Sequence, residues 1–312
     1  MLAGLEVIAT LNEANLVTRR PLAVAFFTNE EGSRFQPDMM GSLVYTGVRA
    51  LDSIRATRGI DGVTVGEAID RIGYAGDAPV GRPNVHAYVE LHVEQGPVLE
   101  AEGYTIGAVK GVQGISWSEF TLSGESNHAG TTPMRLRHDA GYVAAEITTF
   151  ARRLANDLGG DQVATVGALT LAPNLVNVVA NKVVMTVDLR NTDEARLQEA
   201  ERRLFAFAAA TATAEGVELE RRTLARFEPV AFDPRLVGRV EAIAQDEGLP
   251  VKRLPSGAGH DAQMLAAICP TCMIFVPSAG GISHNTKEYT KPDDIAAGAN
   301  LLLHLLLDLA EA

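Results

Sequence analysis

Between residues 114 and 228 the sequence predicts six elements in the order strand, helix, strand, strand, helix, strand. The first helix, residues 140–154, carries apolar side chains at helical spacing on one face, and the second, residues 193–215, is charged on its outer side. The two strands between them, Val163–Leu171 and Lys182–Leu189, are joined by a Pro-Asn turn. Because this is the order of a ferredoxin-like domain, we expect an α+β unit there.

The sequence on either side has the pattern of an α/β domain. The predicted elements are a helix over Met1–Asn15, strands over Leu22–Phe27 and Val85–Val93, a helix after Pro234, a strand over Met273–Val276 and a last helix from Pro292. We therefore expect an α/β fold in which a catalytic α/β domain, residues 1–113 and 229–312, is interrupted by an inserted ferredoxin-like domain, residues 114–228.

The composition excludes several classes of partner. Hydrophobic residues make up 46% of the 312 residues and charged residues 21%, and the formal net charge is -12. Because Lys and Arg form no basic cluster, neither nucleic acid nor an anionic membrane is expected to bind. No apolar stretch has the length of a bilayer span, and the first residues lack the basic start of a signal peptide, so we expect a cytoplasmic protein.

The cysteines are Cys269 and Cys272, in the sequence Cys-Pro-Thr-Cys. A redox or zinc role is one interpretation of this spacing. We favour two reduced thiols in or near the core, because there is no second cysteine pair and an apolar strand is predicted directly after them.

Two adjacent carboxylates, Glu30 and Glu31, follow the unbroken apolar run Leu22–Phe27. An apolar run without alternation predicts a strand buried on both faces, and open α/β sheets place their sites at the carboxyl ends of strands. Two adjacent negative charges next to a core cost free energy unless a cation offsets them or one carboxylate is protonated. A metal ligand beside a general base would meet this requirement, and a solvated loop is the alternative.

Two histidines are also predicted near strand ends. Alternation along Val85–Val93 places His92 on the same face as Glu90 and Glu94, and His284 lies in a Gly-rich loop after the strand Met273–Val276. Together with Glu31, these side chains are donors of the kind that bind zinc, manganese, cobalt or nickel.

Five segments together resemble one family of amidases. They are residues 28–35, 92–100, 127–134, 256–262 and 280–285, and they include Asn-Glu-Glu-Gly-Ser-Arg-Phe, His-Val-Glu-Gln-Gly-Pro and Ser-Gly-Ala-Gly-His-Asp-Ala. The chain is similar over essentially its whole length to the hydantoinase/carbamoylase family, which contains N-carbamoyl-L-amino-acid hydrolases, allantoate amidohydrolases and β-ureidopropionases. These are relatives of the dinuclear metallo-aminopeptidases and aminoacylases.

The resemblance implies a role for each matching residue. Metal ligands would be Glu31, His92 and His284; the general base Glu30; the oxyanion-stabilising residue His128; and the substrate-binding residues Gln95, Asn177, Arg190 and Gly259, with Arg190 and Asn177 holding a carboxylate. His260 and Asp261 would position other groups without taking part in catalysis. The implied activity is metal-dependent hydrolysis of the carbamoyl or ureido C–N bond of an N-carbamoyl-L-amino acid or an allantoate-like substrate, a small molecule that carries a carboxylate.

The resemblance also implies two divalent metals per subunit and a homodimer formed through the inserted domain. The family has a His and a metal-bridging Asp upstream of the helix that begins here at Leu2, and the sequence contains neither. We therefore expect an amino-terminally truncated family member that offers three of the usual ligands. Two alternatives stay open: a dipeptidase or aminoacylase with the same machinery, and a non-catalytic protein that keeps the fold.

Overall fold

The computed structural model describes residues 1–81 and 83–311. Its α-helices are α1 (Leu2–Glu13), α2 (Met40–Tyr45), α3 (Leu51–Arg55), α4 (Val65–Arg71), α5 (Val98–Glu102), α6 (Ala140–Leu158), α7 (Glu194–Glu215), α8 (Pro234–Asp246), α9 (Asp261–Leu265) and α10 (Pro292–Glu311). Its strands are β1 (Tyr88–Val93), β2 (Ile106–Val112), β3 (Gly114–Ser123), β4 (Val163–Thr165), β5 (Leu169–Ala172), β6 (Lys182–Asn191), β7 (Glu218–Phe227), β8 (Val230–Ala231), β9 (Val251–Ser256) and β10 (Thr271–Val276).

The chain divides into two compact units, one of residues 1–112 and 231–312 and one of residues 113–230. The first unit contains a sheet of mixed direction, and the second contains an antiparallel sheet covered by two helices. The predicted α/β fold class is confirmed. None of the helices in the described ranges combines the length and the apolar character needed to cross a bilayer.

The sheet of the first unit has the strand order β1-β10-β2-β8, with β9 also paired to β2. The central strand β10 is buried along its whole length, as expected for an apolar run in the middle of a sheet. β1 and β10 run parallel in a register that pairs His92 with Phe275 and Val93 with Val276. Their carboxyl ends therefore meet at one edge, which brings the segments after them side by side.

The predicted strand over Leu22–Phe27 is wrong. This segment contains no strand and no buried residue, and Phe26 is 71% exposed. A strand needs a neighbour with which to exchange backbone hydrogen bonds. Residues 20–25 and 84–91 instead line one cavity of about 480 Å³, and among the described residues no backbone hydrogen bond joins these two stretches. The apolar run is therefore left without a partner strand.

The second unit has the predicted ferredoxin-like order, β3-α6-β4-β5-β6-α7-β7, with β4-β6-β3-β7 across its sheet. The predicted strand over Val163–Leu171 is two short strands, β4 and β5, which both pair with β6. Asp139 and Asp193 cap the amino termini of α6 and α7 by accepting hydrogen bonds from backbone N–H groups in the first turn. The apolar faces of both helices pack on β3 and β6 around a core that includes Phe120.

Candidate active site

The loop that carries Glu30 and Glu31 is closed by its own backbone. The N–H groups of Met39 and Gly41 donate to the carbonyls of Glu30 and Thr28, at 2.7 and 2.9 Å. Inside the loop, the Asn29 side-chain amide donates to the carbonyl of Phe35 at 2.8 Å. The position of the two carboxylates therefore depends on contacts local to residues 28–41, although the strand predicted before them is absent.

The carboxyl group of Glu30 lies in a strongly acidic environment. Burial, followed by the negative charges of Asp261, Glu31 and Asp38, raises the pKa of Glu30 to about 7, and His284 opposes this rise. Asp261 is itself buried, which raises its pKa, and its Oδ1 atom accepts a hydrogen bond of 2.5 Å from the Ser42 hydroxyl. A carboxyl group with a pKa near neutrality can both take up and release a proton at physiological pH.

Glu31 and His284 are brought together from distant parts of the chain. Oε2 of Glu31 lies 3.8 Å from Nε2 of His284, and both side chains are about 70% exposed. The backbone of His284 has a positive φ of 53°, and its N–H donates to the Glu288 carboxylate at 2.9 Å. Because an exposed pair of this kind contributes little to stability by itself, the structure of the loop, rather than the pair, places His284 there.

Gln95 connects the end of β1 to the loop after β10. Its backbone has a φ of 58° and its N–H donates to the Ser278 hydroxyl at 3.0 Å. Its side-chain amide donates to Ser283 at 3.1 Å and lies 3.4 Å from Nε2 of His284. The predicted substrate-binding residue is therefore adjacent to the predicted metal ligand.

Gly259, another predicted substrate-binding residue, precedes α9. A Cβ atom there would lie 3.0 Å from the Met39 Cε atom and 3.2 Å from the Gln263 side-chain oxygen. The absence of a side chain thus allows the loop that carries Glu30 and the start of α9 to approach closely.

His92 lies in a group with two other possible metal ligands. Its closest partners among possible ligands are Glu90 and His260, and one ligand atom from each of the three lies within 4.8 Å of the others. Glu31, His92 and His284 do not form such a group in the described part of the chain. Alternation along β1 already predicted that Glu90 and His92 lie on the same face. No local sequence pattern predicted that His260 lies near them, because this proximity arises from the packing of β1 against the segment before α9.

In the second unit, backbone pairing brings His128 next to Asn177. His128 forms an isolated antiparallel bridge with Val178, and the Ala129 N–H donates to the Asn177 carbonyl at 2.9 Å. The Gly130 N–H donates to Nδ1 of His128 at 3.0 Å, so the Nε2 atom carries the proton of the neutral ring. Both side chains are exposed.

Arg137 holds the turn that contains His128, and sequence reasoning missed it. Its guanidinium donates to the carbonyls of Ala129 and Thr132, at 2.6 and 3.1 Å. Hydrogen bonds from an arginine side chain to carbonyl oxygens earlier in the chain produce no periodic pattern, so the sequence does not predict them.

Arg190 lies on β6 and is held by the carboxylate of Asp188 on the same face. Its Nε atom is 3.1 and 3.0 Å from the two carboxylate oxygens, and its Nη2 atom is 2.8 Å from Oδ2. The guanidinium also lies over the Trp117 ring, with Cζ 5.8 Å from the ring centre. A guanidinium held along one edge by a carboxylate and lying over an indole has a restricted orientation, which recognition of a planar anion requires.

The residues of the first unit suit a divalent cation. Burial, followed by the charge of Asp261, raises the pKa of Glu90 to about 7, and Glu30 contributes to the same rise. Glu30, Glu90 and Asp261 therefore destabilise one another when ionised, and imidazole donors lie beside them. Carboxylates that repel one another beside imidazole nitrogens are a donor set that suits a divalent cation.

Comparison with known proteins identifies the family. A family model described as Peptidase family M20/M25/M40 matches residues 1–308. The chain belongs to this family. The resemblance inferred from the five sequence segments is confirmed, because the relatives of this M20/M25/M40 chain include amidohydrolases of the predicted kind.

One relative is the N-carbamoyl-L-amino-acid amidohydrolase of Rhizobium meliloti, which is 42% identical over 311 residues that cover 100% of this chain and 75% of the relative. The allantoate amidohydrolase of Escherichia coli is 38% identical over 293 residues, which cover 93% of this chain and 71% of that protein. A solved amidase of the hydantoinase/carbamoylase family from Burkholderia multivorans superposes with a TM-score of 0.97 at 45% identity, covering 99% of this chain and 75% of that one. M20 enzymes generally depend on divalent metals, and this member has a group of residues able to hold one.

Proposed function

We propose that this chain is a metal-dependent amidohydrolase that cleaves the C–N bond of a carbamoyl or ureido group on a substrate carrying a carboxylate. N-carbamoyl-L-amino acids and allantoate-like molecules are the substrate class, as the names of the relatives suggest. The observation that carries the proposal is the environment of Glu30. Its pKa of about 7 suits a general base, and the residue directly precedes Glu31, which lies near His284. Hydrolysis would release ammonia, carbon dioxide and an amino acid, or a ureidoglycine-type product from allantoate.

Glu30 is assigned to proton transfer. It takes a proton from the attacking water and passes it to the leaving nitrogen, which its near-neutral pKa permits in both directions. Glu31, His92 and His284 would hold the divalent cations. When bound, a cation supplies positive charge that polarises the scissile carbonyl and makes water a better nucleophile.

The remaining assigned residues bind and orient substrate. Gln95 and the backbone at Gly259 would contact the substrate, and Asn177 and Arg190 would hold its carboxylate. His128 would stabilise the oxyanion, since its protonated Nε2 can donate a hydrogen bond. Residues 114–228 would accordingly act as the lid and dimerisation domain.

The metals and the compartment are further parts of the proposal. Two divalent cations per subunit, drawn from zinc, manganese, cobalt or nickel, fit a donor set of carboxylates and imidazoles. The cytoplasm fits the two buried cysteines, which are free thiols.

A homodimer through the second unit is supported by that unit's sheet edge. β4 and β5 pair only with β6 in the described chain, and Val163 and Leu169 on them are 47% and 42% exposed. Exposed apolar side chains on an unpaired edge favour association. Sedimentation of wild type beside Leu169→Lys would test this: a dimer in the first and a monomer in the second is expected, and two monomers would contradict it.

The activity is tested with the whole chain, stripped with a chelator and then given zinc, manganese, cobalt or nickel in turn. Ammonia release would be measured with several N-carbamoyl-L-amino acids and with allantoate, beside a dipeptide and an N-acetyl amino acid. Turnover confined to the ureido substrates is expected. Cleavage of the dipeptide or N-acetyl compound alone would favour the dipeptidase or aminoacylase alternative, and no turnover with any metal would overturn the proposal for this chain.

A non-catalytic protein is the second candidate, because Glu31, His92 and His284 do not come together as one ligand group among the described residues. A protein of this kind would bind the carboxylate ligand without releasing ammonia. Calorimetric titration of the metal-loaded chain with an N-carbamoyl-L-amino acid, run beside the ammonia assay, separates the two. Binding without ammonia release under every metal would establish the second candidate, and ammonia release would exclude it.

A further inference from the structure

Glu90, His92 and His260 form a cluster that the proposed roles leave largely unexplained. Glu90 and His92 project from the same face of β1, and His260 directly precedes α9. His260 is 2% exposed, and its ring lies edge-on to that of His92 with 4.7 Å between the ring centres. The ring of Phe275 also packs against that of His260, with 5.8 Å between the ring centres. The cluster is therefore largely shielded from water.

The hydrogen bonds around His260 determine which nitrogen carries the proton. The Ser256 hydroxyl donates its hydrogen to the Ala258 carbonyl at 2.9 Å and accepts from the Ala258 N–H at 3.1 Å. A hydroxyl has one hydrogen, so the contact of 2.8 Å between Ser256 Oγ and His260 Nε2 must be donated by the histidine. Its Nδ1 atom therefore presents a lone pair.

The Nδ1 lone pair of His260 faces a carboxylate oxygen of Glu90. When Glu90 is ionised, this oxygen has no hydrogen to donate. Oε1 of Glu90 lies 3.6 Å from Nδ1 of His260. The other oxygen, Oε2, accepts from the Ala262 N–H at 3.0 Å and from the Tyr88 hydroxyl at 3.3 Å. The carboxylate is thus held in position through Oε2, and Oε1 points at a second acceptor.

His92 adds a third acceptor. Its Nδ1 atom lies 2.8 Å from the Val93 carbonyl, which can only accept, so Nδ1 carries the hydrogen. The Nε2 atom of His92 is left as the nitrogen with a lone pair. One ligand atom from each of Glu90, His92 and His260 lies within 4.8 Å of the others, so acceptors that are each fixed by a hydrogen bond through another polar atom are close enough to share one cation in a largely shielded site.

We propose that Nε2 of His92, Nδ1 of His260 and Oε1 of Glu90 bind one divalent cation. Two imidazoles and one carboxylate form a set that zinc and other first-row divalent metals accept, with a position open to water or substrate. The proposal rests on the proposed metal dependence, because it adds Glu90 and His260 to the centre that contains His92. It makes His260 a ligand, where the sequence predicted only a positioning role.

The experiment measures metal binding alone. The whole chain and its variants would be stripped with a chelator and dialysed against zinc, and bound metal would be counted by mass spectrometry. Glu90→Gln keeps the side-chain shape, and His260→Ala removes the imidazole; His86→Ala, on an exposed histidine before β1, is the matched control. Weakening of at least about tenfold in both cluster variants, with the control unchanged, is expected from losing one of three ligands.

Cobalt gives an independent signature. A cobalt-loaded wild type should show visible absorption that changes in intensity and position in His260→Ala, because loss of a nitrogen ligand alters the ligand field. Circular dichroism of each metal-free variant checks folding. If His260→Ala does not fold, Glu90→Gln and His260→Gln carry the test.

Failure of this proposal is distinguishable from failure of the proposed function. Zinc binding that is unaffected in Glu90→Gln and His260→Ala but lost in Glu31→Gln and His284→Ala would overturn the cluster site and leave the activity untouched. Equal zinc binding in all variants, which would mean that only a proton lies between Glu90 and His260, would also overturn it. Zinc held by the cluster in a chain without ureido turnover would support the site and contradict the activity.

Discussion

Oε2 of Glu31 lies 3.8 Å from Nε2 of His284, although one residue follows the apolar run near the amino terminus and the other lies in a loop close to the last helix. Glu30, the immediate neighbour of Glu31, is half-buried, and burial together with the charges of nearby carboxylates raises its pKa to about 7. Two consecutive residues thus have different environments, one exposed beside an imidazole and one poised to exchange protons. This difference supports the proposed assignment of Glu31 as a metal ligand and Glu30 as a general base.

Replacement of Glu30 should remove turnover without removing metal. In Glu30→Gln the amide cannot take a proton from water, so kcat should fall by about 10²- to 10⁴-fold while zinc binding stays near the wild-type value. Ammonia release and dialysis against zinc measure the two quantities. Glu13→Gln, an exposed substitution on α1, should change neither. Loss of zinc together with kcat in Glu30→Gln would show that Glu30 is a ligand instead.

Stability of the metal-free protein should fall as the pH rises from 6.5 to 8. Glu30 and Glu90 have folded pKa values raised to about 7 from an ordinary value of 4.5, so the stability they contribute is complete at low pH and is lost as the pH rises through 7. His260 opposes this trend only below its unfolded pKa of 6.5, because its folded pKa is lowered to about 3. Above pH 6.5 the trend is therefore dominated by buried carboxyl groups, to which Asp38 and Asp261, with pKa values also raised by burial, contribute in the same direction.

Urea unfolding at pH 6.5 and 8, with a chelator present, measures this trend. Glu90→Gln should make the pH dependence of the free energy of unfolding shallower. Zinc added in place of the chelator should remove most of this pH dependence, since a bound cation favours the ionised carboxylates. A metal-free protein that is equally stable at both pH values would contradict the assigned burial of these groups.

Arg190 should contribute to binding of the substrate carboxylate through its planar fork. Arg190→Lys keeps the charge but loses the bidentate geometry that Asp188 orients, so KM should rise by about 10- to 100-fold with a smaller change in kcat. Asp188→Asn should move KM in the same direction. Asp157→Asn is the matched control, because it breaks a more exposed arginine pair, that with Arg203, in the same unit. An unchanged KM in Arg190→Lys would remove Arg190 from the site.

Gly32 should be more sensitive to substitution than a comparable loop glycine. Its φ is 65°, and a Cβ atom would lie 2.9 Å from the Asp38 backbone. Gly62 has a φ of 80° but open space around it. Both alanine variants incur about 1 kcal/mol from the left-handed backbone, and only Gly32→Ala must also displace the loop that holds Glu30. Thermal unfolding and kcat should both be lower in Gly32→Ala than in Gly62→Ala, and equal values would contradict the packing of this loop.

Local periodicity predicted much of the fold. The strand and helix order of residues 114–228, the alternation along β1 and the helix at the amino terminus all appear in the structure, because each leaves a repeat within a few residues. The five segments that resemble the amidases likewise identified the family, which the comparisons confirm. The roles assigned to the individual site residues stay predictions.

Contacts between distant residues decided the rest. The apolar run Leu22–Phe27 has the composition of a buried strand, but a strand exists only where a neighbour completes its hydrogen bonds, and β1 does not pair with this segment. The sequence by itself determined the family, the order of most elements and the identity of the acidic and imidazole side chains. Only the tertiary structure placed His284 beside Glu31, raised the pKa of Glu30 and brought His260 to His92, because burial, charge and ligand geometry arise from atoms that are far apart along the chain.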